Sequence, residues 1–141
     1  MSTKVIISTI SGALTALVTA AYGGWSAGLT TLFCFIIVDF VFGLLLGILN
    51  KSSKTATGGL SSSIAFRGIC KKIVILLLVF CMYRIDLTIG TAYFKDATII
   101  AFIISEFISI IENAGLIGVP MPAIVTKALD VLNSKMEDLI K

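Results

Sequence analysis

The sequence predicts an all-α integral membrane protein of about four transmembrane helices with both termini inside, assembling as an oligomer. Three observations carry this. Hydrophobic residues make up 57% of the 141-residue chain and charged residues only 13%, and the mean hydropathy of +1.08 lies far above that of a soluble domain. No charge occurs between Lys4 and Asp39. Four apolar stretches, at about 5–21, 29–49, 73–89 and 97–111, approach or reach the length that a bilayer core requires. They define a transmembrane domain at 1–121, followed by a tail at 122–141.

The first stretch follows Lys4 and places Ser8, Gly12, Ala16 and Ala20 at intervals of four. In the second stretch Asp39, Gly43 and Gly47 share that interval. Small residues at this spacing let helix backbones approach where lipid supplies no hydrophobic drive, so Gly12, Ala16, Gly43 and Gly47 are candidate packing positions, within one chain or between copies. A cleaved signal peptide competes for the first stretch, whose length favours a retained span.

Lys51, Lys54, Arg67, Lys71 and Lys72 follow the second stretch without an intervening acid. By the positive-inside rule they put 50–72 in the cytoplasm, and an even span count keeps both termini there. Within this loop, Thr57, Gly58, Gly59 and Ser61 to Ser63 suggest a turn and a helix cap before an amphipathic stretch leading into the third span. Anionic inner-leaflet lipid explains the cations better than phosphate binding, because the Walker spacing is absent.

The second, third and fourth stretches carry charges, within them or at their ends, where charge is expensive. A carboxylate at a bilayer centre costs roughly 2.5 to 3.5 kcal/mol on insertion scales, so Asp39, Asp86, Glu106 and Glu112 invite functional readings. Asp39 lies ~15 Å from each end of its stretch. Arg84 in the third stretch is expected to pair with Asp39 or Glu106, within or between subunits. In the fourth, Thr98, Ser105, Glu106, Ser109, Glu112 and Asn113 fall within one helical arc of about 120°, a polar stripe suited to helix contacts or to lining an aqueous path. The candidate pore-lining or assembly residues are thus Asp39, Arg84, Ser105, Glu106, Ser109, Glu112 and Asn113.

Gly118, Pro120 and Pro122 break the fourth helix. Val125, Leu129, Leu132, Met136 and Leu139 then form a heptad-like seam on an amphipathic tail, suited to the membrane surface or to weak self-association. The chain lacks histidine and any recognisable nucleophile–base or nucleotide-binding motif, and its three cysteines have no metal-ligand spacing, so neither enzymatic activity nor a cofactor or metal is expected. The small net charge of +3 does not suggest nucleic acid as a partner.

These residues also carry a resemblance. Asp39, Gly43, a basic loop with serines, Gly68 to Lys72, Asp86, and the segment Glu106 to Gly115 leading to Gly118, Pro120 and Pro122 resemble phage holin family 4, the toxin-secretion and phage-lysis holins, which include a clostridial toxin-release holin. The likeness spans about 30–132 and is most specific over 109–122. It implies a multi-pass protein of the bacterial cytoplasmic membrane, from a phage or prophage. Such a protein forms homo-oligomeric pores or lesions that release endolysin for host-cell lysis, or a protein toxin, without necessary direct contact with either. Arg84 departs from the family pattern. A proton-coupled exporter of small cationic compounds and an antiholin-type regulatory subunit share the same composition and stay open as alternatives.

Overall fold

A computed structural model describes residues 2–140, without the side chains at 132, 133, 135–137, 139 and 140. In chain order the helices are α1 (Thr3–Tyr22), α2 (Ala27–Ile48), α3 (Ser62–Ile89), α4 (Phe94–Ile117) and α5 (Ala123–Ile140), with no strand among the described residues. Three of them, α1, α2 and α4, are long and apolar enough to cross a membrane. The 28 residues of α3 join the amphipathic stretch of the loop to the third apolar run, so Arg67, Lys71 and Lys72 sit on a helix and not in a loop. The fourth helix runs to Ile117, beyond the 111 expected for its apolar run.

Local chemistry explains the helix ends. Ser26 begins α2 by accepting a hydrogen bond from the Leu29 N–H at 3.1 Å. Gly23 ends α1 at φ +77°, and a Cβ there would lie 2.9 Å from the Tyr83 ring, so backbone conformation and close approach both call for glycine. Gly118 ends α4 at φ +109°. The N–H groups of Gly118 and Val119 both reach the Ala114 carbonyl, at 3.2 and 3.1 Å, and Pro120 and Pro122 follow where a helix cannot continue.

The core is a layer near the α1–α2 and α3–α4 turns, formed by Leu29, Leu32 and Ile36 of α2, Ile75 and Val79 of α3, Ile99 of α4, and Val18 of α1. Here α4 packs most extensively on α2 and then on α3. The first helix leans on α3 through its C-terminal end, where the Tyr22 hydroxyl donates to the Leu76 carbonyl at 3.2 Å and the Lys95 ammonium to the Tyr22 carbonyl at 3.2 Å. Residues 3–17 of α1 are all exposed. That face suits lipid or another copy far better than water. In the tail, Val125 and Leu129 are half-buried, whereas the side chains of Leu132, Met136 and Leu139 lie outside the described residues.

Candidate functional site

Each of the three packed helices places a polar group in its buried seam. On α2 the seam runs Leu29, Leu32, Ile36, Asp39 and Leu46, and on α4 it runs Ile99, Glu106 and Asn113. On α3 the buried residues are Ile75, Val79 and Asp86, and Lys72 shares their face at spacings of three, seven and fourteen. These seams converge on one cluster. The Lys72 ammonium donates to Asp39 Oδ2 at 2.6 Å and to Glu106 Oε2, and Asn113 Nδ2 donates to Asp39 Oδ1 at 3.1 Å. The side chains are 12% exposed at Lys72, 11% at Asp39 and 2% at Glu106.

The cation in this cluster is Lys72, where Arg84 was expected. Arg84 is exposed and, among the described residues, forms no ion pair within the chain. Helix rise explains the exchange. Asp39 and Glu106 each lie ~18 Å from the start of their helices at the α3–α4 turn end, whereas Arg84 lies ~8 Å from that end of α3. Lys72 is ~25 Å from it, and its four-carbon stem spans the remaining difference in depth. Sequence reasoning counted Lys72 among the loop cations. Its shared face with Ile75 and Val79 was the signal that separates it from Lys71 and Arg67, both exposed.

The polar stripe of α4 is divided. Glu106 and Asn113, seven residues apart, form its buried edge, while Ser105 and Ser109 are half-buried and Glu112 is exposed. Thr98 closes onto its own helix by donating to the Phe94 carbonyl at 2.8 Å. The basic residues also separate by role: Lys51 donates to the Ile117 carbonyl at the end of α4 at 2.9 Å, and Lys54 is exposed in the connection.

The small residues behave unequally as well. Gly47 packs closely on Leu60, whose Cδ1 would lie 2.6 Å from an added Cβ, but added Cβ atoms at Gly12 or Gly43 would meet nothing within 4 Å. Ala16 is exposed. Within one chain, close packing by this set is confined to Gly47. Gly43 instead borders a cleft of about 90 Å³ that runs between α2 and α3 from the 49–61 connection to Asp39, Lys72 and Asn113.

Asp86 belongs to a separate site, at the α3–α4 turn. Its carboxylate accepts from Thr91 Oγ1 at 2.6 Å and from the backbone N–H groups of Tyr93, Phe94 and Lys95 at 3.1, 3.0 and 2.8 Å. It thus caps α4 from the preceding helix, and the positive end of the α4 dipole favours its charge.

Residues 16–134 match the model of the bacteriophage holin family. Among curated proteins, the chain is 38% identical to an uncharacterized 14.9 kDa protein in the nagH 3' region of Clostridium perfringens, over 84% of this chain and 86% of the relative. It is 37% identical to an uncharacterized protein of Listeria innocua, over 76% and 72% respectively. An uncharacterized protein of Halalkalibacterium halodurans is 31% identical over 84% of this chain and 87% of its own length. No solved structure matches.

Proposed function

Because the chain belongs to the bacteriophage holin family, we propose that it accumulates in the bacterial cytoplasmic membrane as a compact four-span protein and then oligomerises into lesions that release endolysin or a protein toxin. Holin-type function follows from the family; the four spans, the lesion and its cargo are the proposal. The supporting observation is the Lys72–Asp39–Glu106–Asn113 cluster, which turns the most polar edge of α4 inward in a single chain. With Lys72 satisfied by two acids and Asp86 by four donors, α3 enters the bilayer with Arg84 as the one charge in its apolar run that lacks such partners among the described residues. Both termini then lie on the side of the basic connection.

An aqueous lesion needs polar walls, and a closed monomer hides them. Separating α4 from α2 and α3 exposes Glu106 and Asn113 beside Ser105, Ser109 and Glu112, so assembly and opening are coupled through one helix face. Exposed small residues of α1, Gly12 and Ala16, supply a surface on which copies meet. The test is release of an encapsulated enzyme from vesicles containing the purified chain, with a small dye alongside. Escape of both supports a lesion. Escape of the dye alone, or proton-coupled movement of small cations without enzyme release, overturns lesion formation in favour of a transporter. Failure of both, with suppression of lysis by a second holin, overturns it in favour of a regulatory subunit.

A further inference from the structure

The cleft between α2 and α3 has a polar floor and walls of apolar side chains, among them Phe40, Leu44, Leu60 and Ile64, interrupted by glycines. Gly43 of α2 and Gly68 of α3 both line it, and an added Cβ at either would meet nothing within 4 Å. Glycine at these positions therefore holds space open instead of bringing helices together. Ser52, Ser53, Thr55 and Ser61 border the cleft at the connection, so hydroxyl groups stand at one end and the charged cluster at the other. About 90 Å³ admits several water molecules, and the polar groups at both ends give those waters partners. On its other side Lys72 borders a hollow lined otherwise by apolar residues, including Ile36, Phe40 and Leu76, which offers water nothing to bind.

The floor is not charge-balanced. Asp39 of α2 and Lys72 of α3 line it, and Glu106 of α4 stands behind Lys72, giving the cluster two carboxylates for one ammonium, with the uncharged Asn113 beside them. Among the described residues, the only other charged residue along the cleft is Lys54, in the connection. Burial of an uncompensated negative charge is costly, and one added cation removes it. We propose that the α2–α3 cleft is an aqueous half-channel that delivers one proton from the connection side to this cluster, where Glu106 binds it.

Glu106 is the acceptor because Asp39 already has a donor on each oxygen, Lys72 on one and Asn113 on the other, whereas among the described residues Glu106 has Lys72 alone as a hydrogen-bond partner. Lys72 touches both the cleft and Glu106, so it relays. Its ammonium passes a proton to Glu106 Oε2 and takes another from a hydronium in the cleft. The sum is hydronium plus carboxylate giving water plus carboxylic acid, with Lys72 unchanged and the cluster moved from one net negative charge to none.

This inference stands apart from lesion formation and is tested without lysis. Cys34, Cys70 and Cys81 are first replaced by alanine, and Gly43→Cys, Gly68→Cys, Val41→Cys and Leu45→Cys are introduced singly into the full chain. A small charged thiosulfonate is then applied to right-side-out and inverted membrane vesicles, with Lys54→Cys marking the connection side. Cysteines at 43 and 68 should react from the connection side only. Val41→Cys and Leu45→Cys, which flank 43 in depth but do not line the cleft, should be protected from both sides. Equal protection at all four, or reaction from the opposite side, overturns the half-channel. Infrared titration of the full chain in liposomes should show a carboxylic-acid band that is lost in Glu106→Gln and retained in Asp39→Asn. In Gly43→Leu and Gly68→Leu its deuterium exchange should be lost on the timescale at which the unmodified chain exchanges. Absence of such a band at every pH, or its exchange unchanged by both leucines, overturns proton delivery.

Discussion

The molecule buries acid in two places by opposite means. At the α3–α4 turn, Asp86 is satisfied by a hydroxyl and three backbone N–H groups, all within nine residues of it in sequence. In the middle of the bundle, Asp39 and Glu106 are satisfied by side chains 33, 34 and 74 residues away. The first arrangement uses neutral dipoles that the helix start presents anyway, so it forms with the turn and holds for as long as the turn does. The second depends on three helices meeting and on one ammonium between two carboxylates. A local cap is a fixed joint, whereas a long-range charge cluster is a joint that rearrangement of the bundle breaks.

The sharpest way to break the comparison is Lys72→Met. Removing one partner of a buried ion pair costs about 3 to 5 kcal/mol, and here two acids lose their shared cation. Thermal unfolding in detergent should show a large fall in midpoint, with deuterium exchange raised along α2, α3 and α4 together. Adding Asp39→Asn and Glu106→Gln to the same chain should restore most of the loss. If the triple variant stays as unstable as Lys72→Met, packing of the lysine stem, and not its charge, holds the helices.

Asp86→Ala should cost less, about 1 to 2 kcal/mol, in the range for losing a helix cap. Its signature is the place of the damage. Amide exchange should rise at Tyr93, Phe94 and Lys95 while the central cluster keeps its protection. Exchange rising equally across α2 would show that the two sites are one cooperative unit.

Function separates the acids further. Glu106→Gln removes the excess negative charge of the central cluster, whereas Glu112→Gln alters an exposed side chain. At matched expression Glu106→Gln should shift the onset of membrane permeabilisation clearly and Glu112→Gln little. Equal timing in the two variants would separate permeabilisation from the buried cluster.

What was legible in the sequence follows the same division. Apolar run lengths and the Gly–Pro punctuation after Leu116 marked an all-helical chain, because those signals are local and strong, although α3 and α4 extend past their apolar runs. The expensive acids were legible as anomalies, and helical spacing put Glu106 and Asn113 on one arc of the fourth helix. Partner identity was not legible, since pairing depends on relative depth and rotation of three helices. Arg84 and Lys72 are both cations on α3, and the residue that pairs is the one on the buried seam within reach of the acids. Gly43 likewise carries the small-residue spacing of a contact face yet borders a cleft, because spacing reports what a helix can approach and not what approaches it.

Arg84 supplies the smallest and most discriminating effect. It is exposed and, among the described residues of the single chain, unpaired, so Arg84→Leu should alter detergent-solubilised monomer stability by no more than about 0.5 kcal/mol, as for surface positions away from special features. In the membrane, however, an unpaired guanidinium beside lipid is unfavourable and gains from an acid on another copy. Crosslinking of the two chains in native membranes decides between these settings. Unchanged oligomer yield in Arg84→Leu identifies Arg84 as a snorkelling residue near the α3–α4 turn. Loss of oligomer with the monomer intact would mean that Arg84 pairs across a subunit boundary, so that the charge absent from the internal cluster works in assembly instead.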